Sequence, residues 1–337
     1  MLRFFKSNNP LILLLFPVIA FLFSGRELLL GLPENSGQTH SFLSGILLNS
    51  IHGDYDRYVY LILSTIFLTA ASFMIIMLVN RAALFEKRNF FPGFLFLFVA
   101  GTYNELPSNI PILISTILVL AALSELLSAL KEQNAIFRFF NISLFISISS
   151  FFYMNSLVFV LPILMTKILI RPQNGREWIS AAIGLFLPYF FLFSIWFIIE
   201  GNTEFLTHFL TNLNSIENEG SPGLNTTILY GYILFMVAIA SFGMFPVYSK
   251  LNIQTRDFLK IFGFLFIVGM LAYLFSPWAG IEIVIFIAFT INIPLNYFFN
   301  STNRKFLKFL FFVVFLLLIG LNYFNPDLCQ ITLFKLI

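Results

Sequence analysis

Between Val59 and Val79 the chain runs for 21 residues without one charged side chain. A helix needs about 20 predominantly apolar residues to cross the hydrocarbon core of a bilayer, so this run by itself predicts a membrane span. Comparable runs recur at Pro10–Ser24 (continuing to Leu30), Pro111–Leu130, Trp178–Ile199, Thr226–Phe245, Phe258–Phe275, Ile281–Phe299 and Phe306–Phe324. Across the 337 residues 59% are hydrophobic and 10% are charged, against roughly 45–50% and 25% in ordinary globular domains. So few charges cannot cover a soluble domain of this size. Soluble globular, disordered and nucleic-acid-binding classes are excluded. The reading is an all-α, polytopic integral membrane protein, one transmembrane helical domain over residues 1–337.

Two regions fit a simple count of spans poorly. Phe90–Tyr103 is apolar and then meets Asn104-Glu105-Leu106-Pro107-Ser108-Asn109. Ile142–Ile170 is long for one span and short for two, with Asn155-Ser156 near its middle. Charge supplies a parity argument, because Lys and Arg accumulate on the cytoplasmic side of short loops. The clusters Arg3/Lys6, Arg81/Lys87/Arg88, Lys131/Arg138, Lys167/Arg171/Arg176, Lys250/Arg256/Lys260 and Arg304/Lys305/Lys308 hold sixteen of the nineteen basic residues. Placing them all on one side turns Phe90–Leu130 and Ile142–Ile170 into two short helix pairs. About eleven transmembrane segments follow, with the N-terminus cytoplasmic and the C-terminus outside. Acidic residues, which did not enter that count, divide eleven outside to five inside.

The first apolar run follows Arg3 and Lys6 and imitates a signal peptide, but no Ala-x-Ala site is present and it reads as a retained anchor. The single cysteine, Cys329, excludes an internal disulfide and a cysteine-based metal cluster. No Walker loop, dinucleotide fingerprint, HExxH or nucleophile elbow occurs. The expected location is the cell inner membrane, with membrane lipids as neighbours.

Chemistry is then sought among the polar loops. Ser50-Ile51-His52-Gly53-Asp54-Tyr55-Asp56-Arg57 places two carboxylates and a histidine within five residues. Oxygen-rich sets of this kind suit Mg²⁺ or Mn²⁺ bridging a phosphate, or supply a general base. The plain alternative is a solvated loop in which Asp54 caps the helix that follows. Arg26, at the end of the first run, either binds a lipid phosphate at headgroup level or snorkels. Glu105 sits at the apex of the first short pair, where irregular backbone at membrane depth has to be buried or line a cavity. The candidates are therefore Asp54, Asp56 and Glu105 for catalysis, Arg26 for substrate phosphate, and His52, Asp54 and Asp56 for a metal. Glu125 and the Asn155-Ser156 turn are weaker candidates. Trp278 reads as an interface anchor.

The stretches Leu78-Val79-Asn80-Arg81, Phe90-Phe91-Pro92-Gly93, Asn104-Glu105-Leu106-Pro107 and Phe151–Pro162, with Arg176-Glu177-Trp178, Gly184 and Pro188, resemble an inner-membrane, multi-pass family of Bacteroidota that carries no settled activity. More distantly the layout looks like the membrane glycosyltransferases of the GT-C type. That second likeness implies a polyprenyl-phosphate-linked sugar donor and an acidic residue of the first outer loop serving as base or metal ligand. The matching positions here are Asp54 and Asp56, with Glu34 third. The chain departs from the pattern in having Arg26-Glu27 where such enzymes often place an acidic residue just after the first span, and no large outer domain follows its last apolar run. Three functions stand at this point: a GT-C-like transferase at the outer face, a non-catalytic subunit that works with other envelope membrane proteins, and a transporter or lipid flippase.

Overall fold

The computed structural model describes residues 10–26, 56–81, 89–101, 110–170, 174–200, 224–248, 251–275, 283–301 and 305–324. Every regular element among them is helical. A 3₁₀ turn (Pro10–Leu14) leads into α1 (Leu15–Ser24), followed by α2 (Asp56–Arg81), α3 (Phe91–Ala100), α4 (Ile110–Ala129) and α5 (Ile136–Phe152). A second 3₁₀ segment (Met154–Phe159) precedes α6 (Val160–Leu169). The remainder are α7 (Gly175–Glu200), α8 (Leu224–Tyr248), α9 (Ile253–Phe275), α10 (Ile283–Ser301) and α11 (Lys305–Phe324).

Three of these helices are long and apolar enough to cross a membrane: Tyr58–Arg81 in α2, Ile110–Ala129 in α4 and Gly175–Ile195 in α7. They mark the chain as a membrane protein. The expectation of about eleven transmembrane segments is overturned, and the assignment of a cytoplasmic N-terminus and an outside C-terminus, which rested on that parity, goes with it. The physical reason is length and packing. At 1.5 Å per residue, the ten residues of α1, α3 and α6 reach about 15 Å, half of a hydrocarbon core of roughly 30 Å. In α3, nine of the ten residues are buried inside the protein. A helix that is apolar all round can be a core helix as well as a span, and α3 is the former.

Local chemistry explains where the helices stop and turn. The Asn80 side chain at the end of α2 accepts the Asn89 N–H at 3.1 Å, and the Asn89 carboxamide oxygen accepts the Phe91 N–H at 3.0 Å, capping α3. Within α2 the hydroxyls of Ser64, Thr65, Thr69 and Ser72 bond back to carbonyls one turn earlier. Their polarity is thereby satisfied without a partner from outside. Helix α5 ends at Tyr153, which is extended, and the 3₁₀ segment carrying Asn155-Ser156 redirects the chain into α6. The Glu125–Arg138 and Ser115–Ser149 contacts make α4 and α5 antiparallel.

Helices α5 and α7 run parallel along a seam of small polar residues. Ser180 donates to the Ile136 carbonyl at 2.6 Å, Ser147 donates to the Leu185 carbonyl at 2.8 Å, and the Ser150 and Tyr189 hydroxyls bond each other. Small and hydroxylated residues at a helix interface allow close approach where apolar surroundings provide no other partner. The approach is tightest at Gly184, where a Cβ would collide with the Phe140 carbonyl oxygen. Gly184→Ala is expected to cost about 1–3 kcal/mol through overpacking, seen as a lower melting temperature of the purified protein in mild detergent. The opposite face of α7 is apolar and exposed, with Ile179, Phe186, Phe190 and Ile198 each at least 63% accessible.

The core joins the first and last helices. Phe16 of α1 is fully buried against Phe94 of α3, ring centroids 4.3 Å apart, and against Phe73 of α2 at 5.4 Å. Helix α11 lies along α3 in the same direction, Phe312 beside Phe91 and Phe315 beside Phe98.

Candidate functional site

The described charged residues gather at two ends of the bundle. The 26 residues of α2 separate Asp56 from Arg81 by roughly 38 Å along the helix axis, and these two residues name the ends.

At the Arg81 end, helix termini are joined by side chains. Arg81 donates to the Ser124 and Ser128 hydroxyls at 3.1 and 3.2 Å, bringing the C-terminal ends of α2 and α4 together. Arg138, in the first turn of α5, donates to Glu125 at 2.7 Å and to Glu132 at 3.0 and 3.1 Å. The hydrogen bond to Glu125, then that to Glu132, raises the guanidinium pKa above its already high ordinary value. Glu125 is thus committed to Arg138 instead of standing free in a span.

Deeper at this end lies a fully buried ion pair that inspection of the sequence missed. Lys167, in the last turn of α6, and Glu177, in the first turn of α7, bond each other with side chains 2% and 1% exposed. Glu177 also accepts the Ala135 N–H at 3.1 Å, at the entry to α5. The Lys167 ammonium stands 4.6 Å from the centre of the Phe139 ring, a cation–π placement. One carboxylate therefore fixes three elements: the end of α6 and the starts of α5 and α7. Each charge also sits where the helix dipole favours it, the anion at an N-terminus and the cation at a C-terminus. A cavity of about 20 Å³ beside the pair, lined by Ser143, Ile163 and Trp178, has room for about one water. The available sequence signal was the position of Lys167 at the end of one apolar run and of Glu177 at the start of the next. Read as loop charges, they suggested topology and nothing more.

At the Asp56 end, α1 and α11 meet the start of α2. The Arg26 side chain is 3% exposed, with its guanidinium carbon 5.4 Å from the centre of the Tyr323 ring in α11. The Tyr323 hydroxyl donates to the Leu22 carbonyl at 2.9 Å, fixing that ring against α1. A Cβ at Gly25 would lie 3.5 Å from Leu61, five residues after Asp56 on α2. Gly101, which ends α3, abuts the Phe23 ring so closely that it has no room for a Cβ. Arg26 and the helix start at Asp56 therefore share one end of the molecule. Asp56 is the first residue of α2, but its side chain lies outside the described residues, as do His52, Asp54, Glu34 and Glu105 in full. Among the described residues no three His, Cys, Asp or Glu side chains gather as a metal site.

No protein-family model matches the chain, and no curated protein matches it in sequence. The class defined by the fold is that of a helical membrane protein with three apolar helices of membrane length.

Proposed function

We propose that this is an inner-membrane protein of the cell envelope that transfers a sugar from a polyprenyl-phosphate carrier, in the manner of the GT-C glycosyltransferases it distantly resembles. The observation that carries the reading is the placement of Arg26 at the bundle end where α2 starts with Asp56. A permanently charged guanidinium held in place by packing is suited to bidentate phosphate recognition. Asp54 or Asp56 takes the proton of the acceptor hydroxyl as general base. The acceptor oxygen bonds to the anomeric carbon as the bond from that carbon to the phosphate oxygen breaks. Polyprenyl phosphate leaves, and Arg26 offsets the charge that develops on it.

The test is a chromosomal Asp54→Asn/Asp56→Asn double variant, made at normal protein level and examined for surface glycan. Loss of one glycan class is expected. Unchanged glycan rejects the transferase reading and leaves the non-catalytic subunit. That second reading is favoured by one observation of its own: Arg81, Arg138, Lys167 and Glu177 are engaged in joining helices to one another.

A further inference from the structure

Helices α8, α9 and α10 line an open pocket of about 310 Å³ that lies apart from Arg26 and the start of α2. Its lining is mostly apolar, with Ser241, Tyr248, Lys260 and Thr290 as the polar members. It reaches the surface at Ser241 and Lys260, both exposed. Two residues mark its wall. A Cβ at Gly263 would have nothing within 4 Å, so this glycine faces empty space. Pro294 of α10 lacks an N–H, which removes the helical donor to the Thr290 carbonyl, and both residues line the cavity.

The size and chemistry specify an occupant. The volume corresponds to on the order of ten water-sized groups of about 30 Å³ each, which suits one medium-length chain and is too little for two. The Lys260 ammonium has three N–H donors and gives one to Asp257 at 2.8 Å. Arg256, one helical turn earlier, adds a second cation to the same stretch of α9 against the single Asp257. A mostly apolar pocket with excess positive charge at its exposed Lys260 complements an apolar chain with an anionic head.

We propose that this cavity binds one chain of an anionic, single-chain lipid, with its phosphate at Lys260. The site is independent of the transferase reading, because it is built from α8, α9 and α10 and uses none of Arg26, Asp54 or Asp56.

The full chain in mild detergent is photolabelled with a diazirine-bearing lysophosphatidic acid, and with the lysophosphatidylcholine of the same chain as zwitterionic control. Labelled peptides are then mapped by mass spectrometry. Labelling concentrated on α8–α10 is expected, about tenfold stronger for the anionic probe, as a charge-assisted contact with Lys260 requires. Gly263→Leu, which fills the slot, should abolish it, and Gly263→Ala should reduce it in part. Gly320→Leu, at another glycine with open space around its Cβ position, should leave it unchanged. Lys260→Gln should remove the preference for the anionic head while retaining chain labelling. If Gly263→Leu melts early, the graded effect of Gly263→Ala and the headgroup preference of Lys260→Gln decide. Labelling spread equally over the exposed face of α7 and indifferent to Gly263 and Lys260 would overturn the proposal.

Discussion

Glu177→Gln is expected to lower the stability of the folded protein by about 3–5 kcal/mol, the usual cost of removing one partner of a buried ion pair. The glutamine can still accept the Ala135 N–H, so that contact survives. What is lost is the negative charge bonded to an ammonium that is 2% exposed, the only such charge among the described residues. The Phe139 ring stays 4.6 Å from Lys167, but cation–π attraction supplies about 0.5–2 kcal/mol, too little to replace a carboxylate. Lys167→Met leaves the opposite problem, a buried anion that keeps the Ala135 N–H but loses its ammonium. Combining the two substitutions removes both charges together with their desolvation penalty, so Lys167→Met/Glu177→Gln should recover most of the loss. Arg138→Ala serves as the contrast: its partners are similarly close, yet its side chain is 37% exposed, and solvent-accessible pairs contribute little. The measurement is thermal unfolding in mild detergent, with fluorescence from Trp178 beside the pair. The expected order of melting is wild type, then Arg138→Ala, then the double variant, with the two single ion-pair variants lowest. Single variants that melt with wild type would show that the pair is solvated.

The second large effect is on activity. Arg26→Ala is expected to reduce sugar transfer by about 10²–10³-fold, the range seen when one preorganised donor to a developing oxyanion is removed. Arg26→Lys keeps the charge and loses the planar fork, and should recover part of the rate. The side chain also packs on Tyr323, so a stability effect has to be separated from a chemical one. Tyr323→Leu removes the ring and leaves the guanidinium. A drop in melting temperature shared by Tyr323→Leu and Arg26→Ala, with transfer lost only in the latter, assigns Arg26 to the phosphate. Equal loss of transfer in both assigns it to packing.

Much of this architecture can be read from the amino acids, and the remainder has a definite physical reason for being hidden. An all-helical membrane protein follows from apolar runs without charge, and the polar Asn155-Ser156 pair marks the break between α5 and α6. Hydropathy cannot say whether an apolar helix faces lipid or protein. The windows in α4 and α7 are alike in composition, yet 67% of one and 11% of the other is buried. Helix α3, buried on nearly every side, is the extreme case, and counting short helices such as α1, α3 and α6 as crossings helped to inflate the number of spans. Charges misled in a related way. Lys167, Glu177 and Arg138 read as charges that report sidedness and Glu125 as a weak candidate near the end of its apolar run, whereas all four sit on helices and pair with each other. Their partners are 10 and 13 residues apart in sequence, across chain reversals, so no i,i+4 rule reveals them. The cavity beside Lys260 is equally silent, since its defining feature is the open space at Gly263.

The central claim is that the Asp56 end of the bundle handles a phosphate-linked sugar. Its most direct test is transfer by the purified full chain in mild detergent, from a radiolabelled polyprenyl-phosphate sugar to an acceptor bearing a free hydroxyl, in wild type and in Asp54→Asn/Asp56→Asn. The account requires label in the acceptor and free polyprenyl phosphate with wild type, and neither with the double variant at an unchanged melting temperature. Transfer that persists undiminished in the double variant, or no transfer by a well-folded wild type across a panel of donors and acceptors, would contradict it.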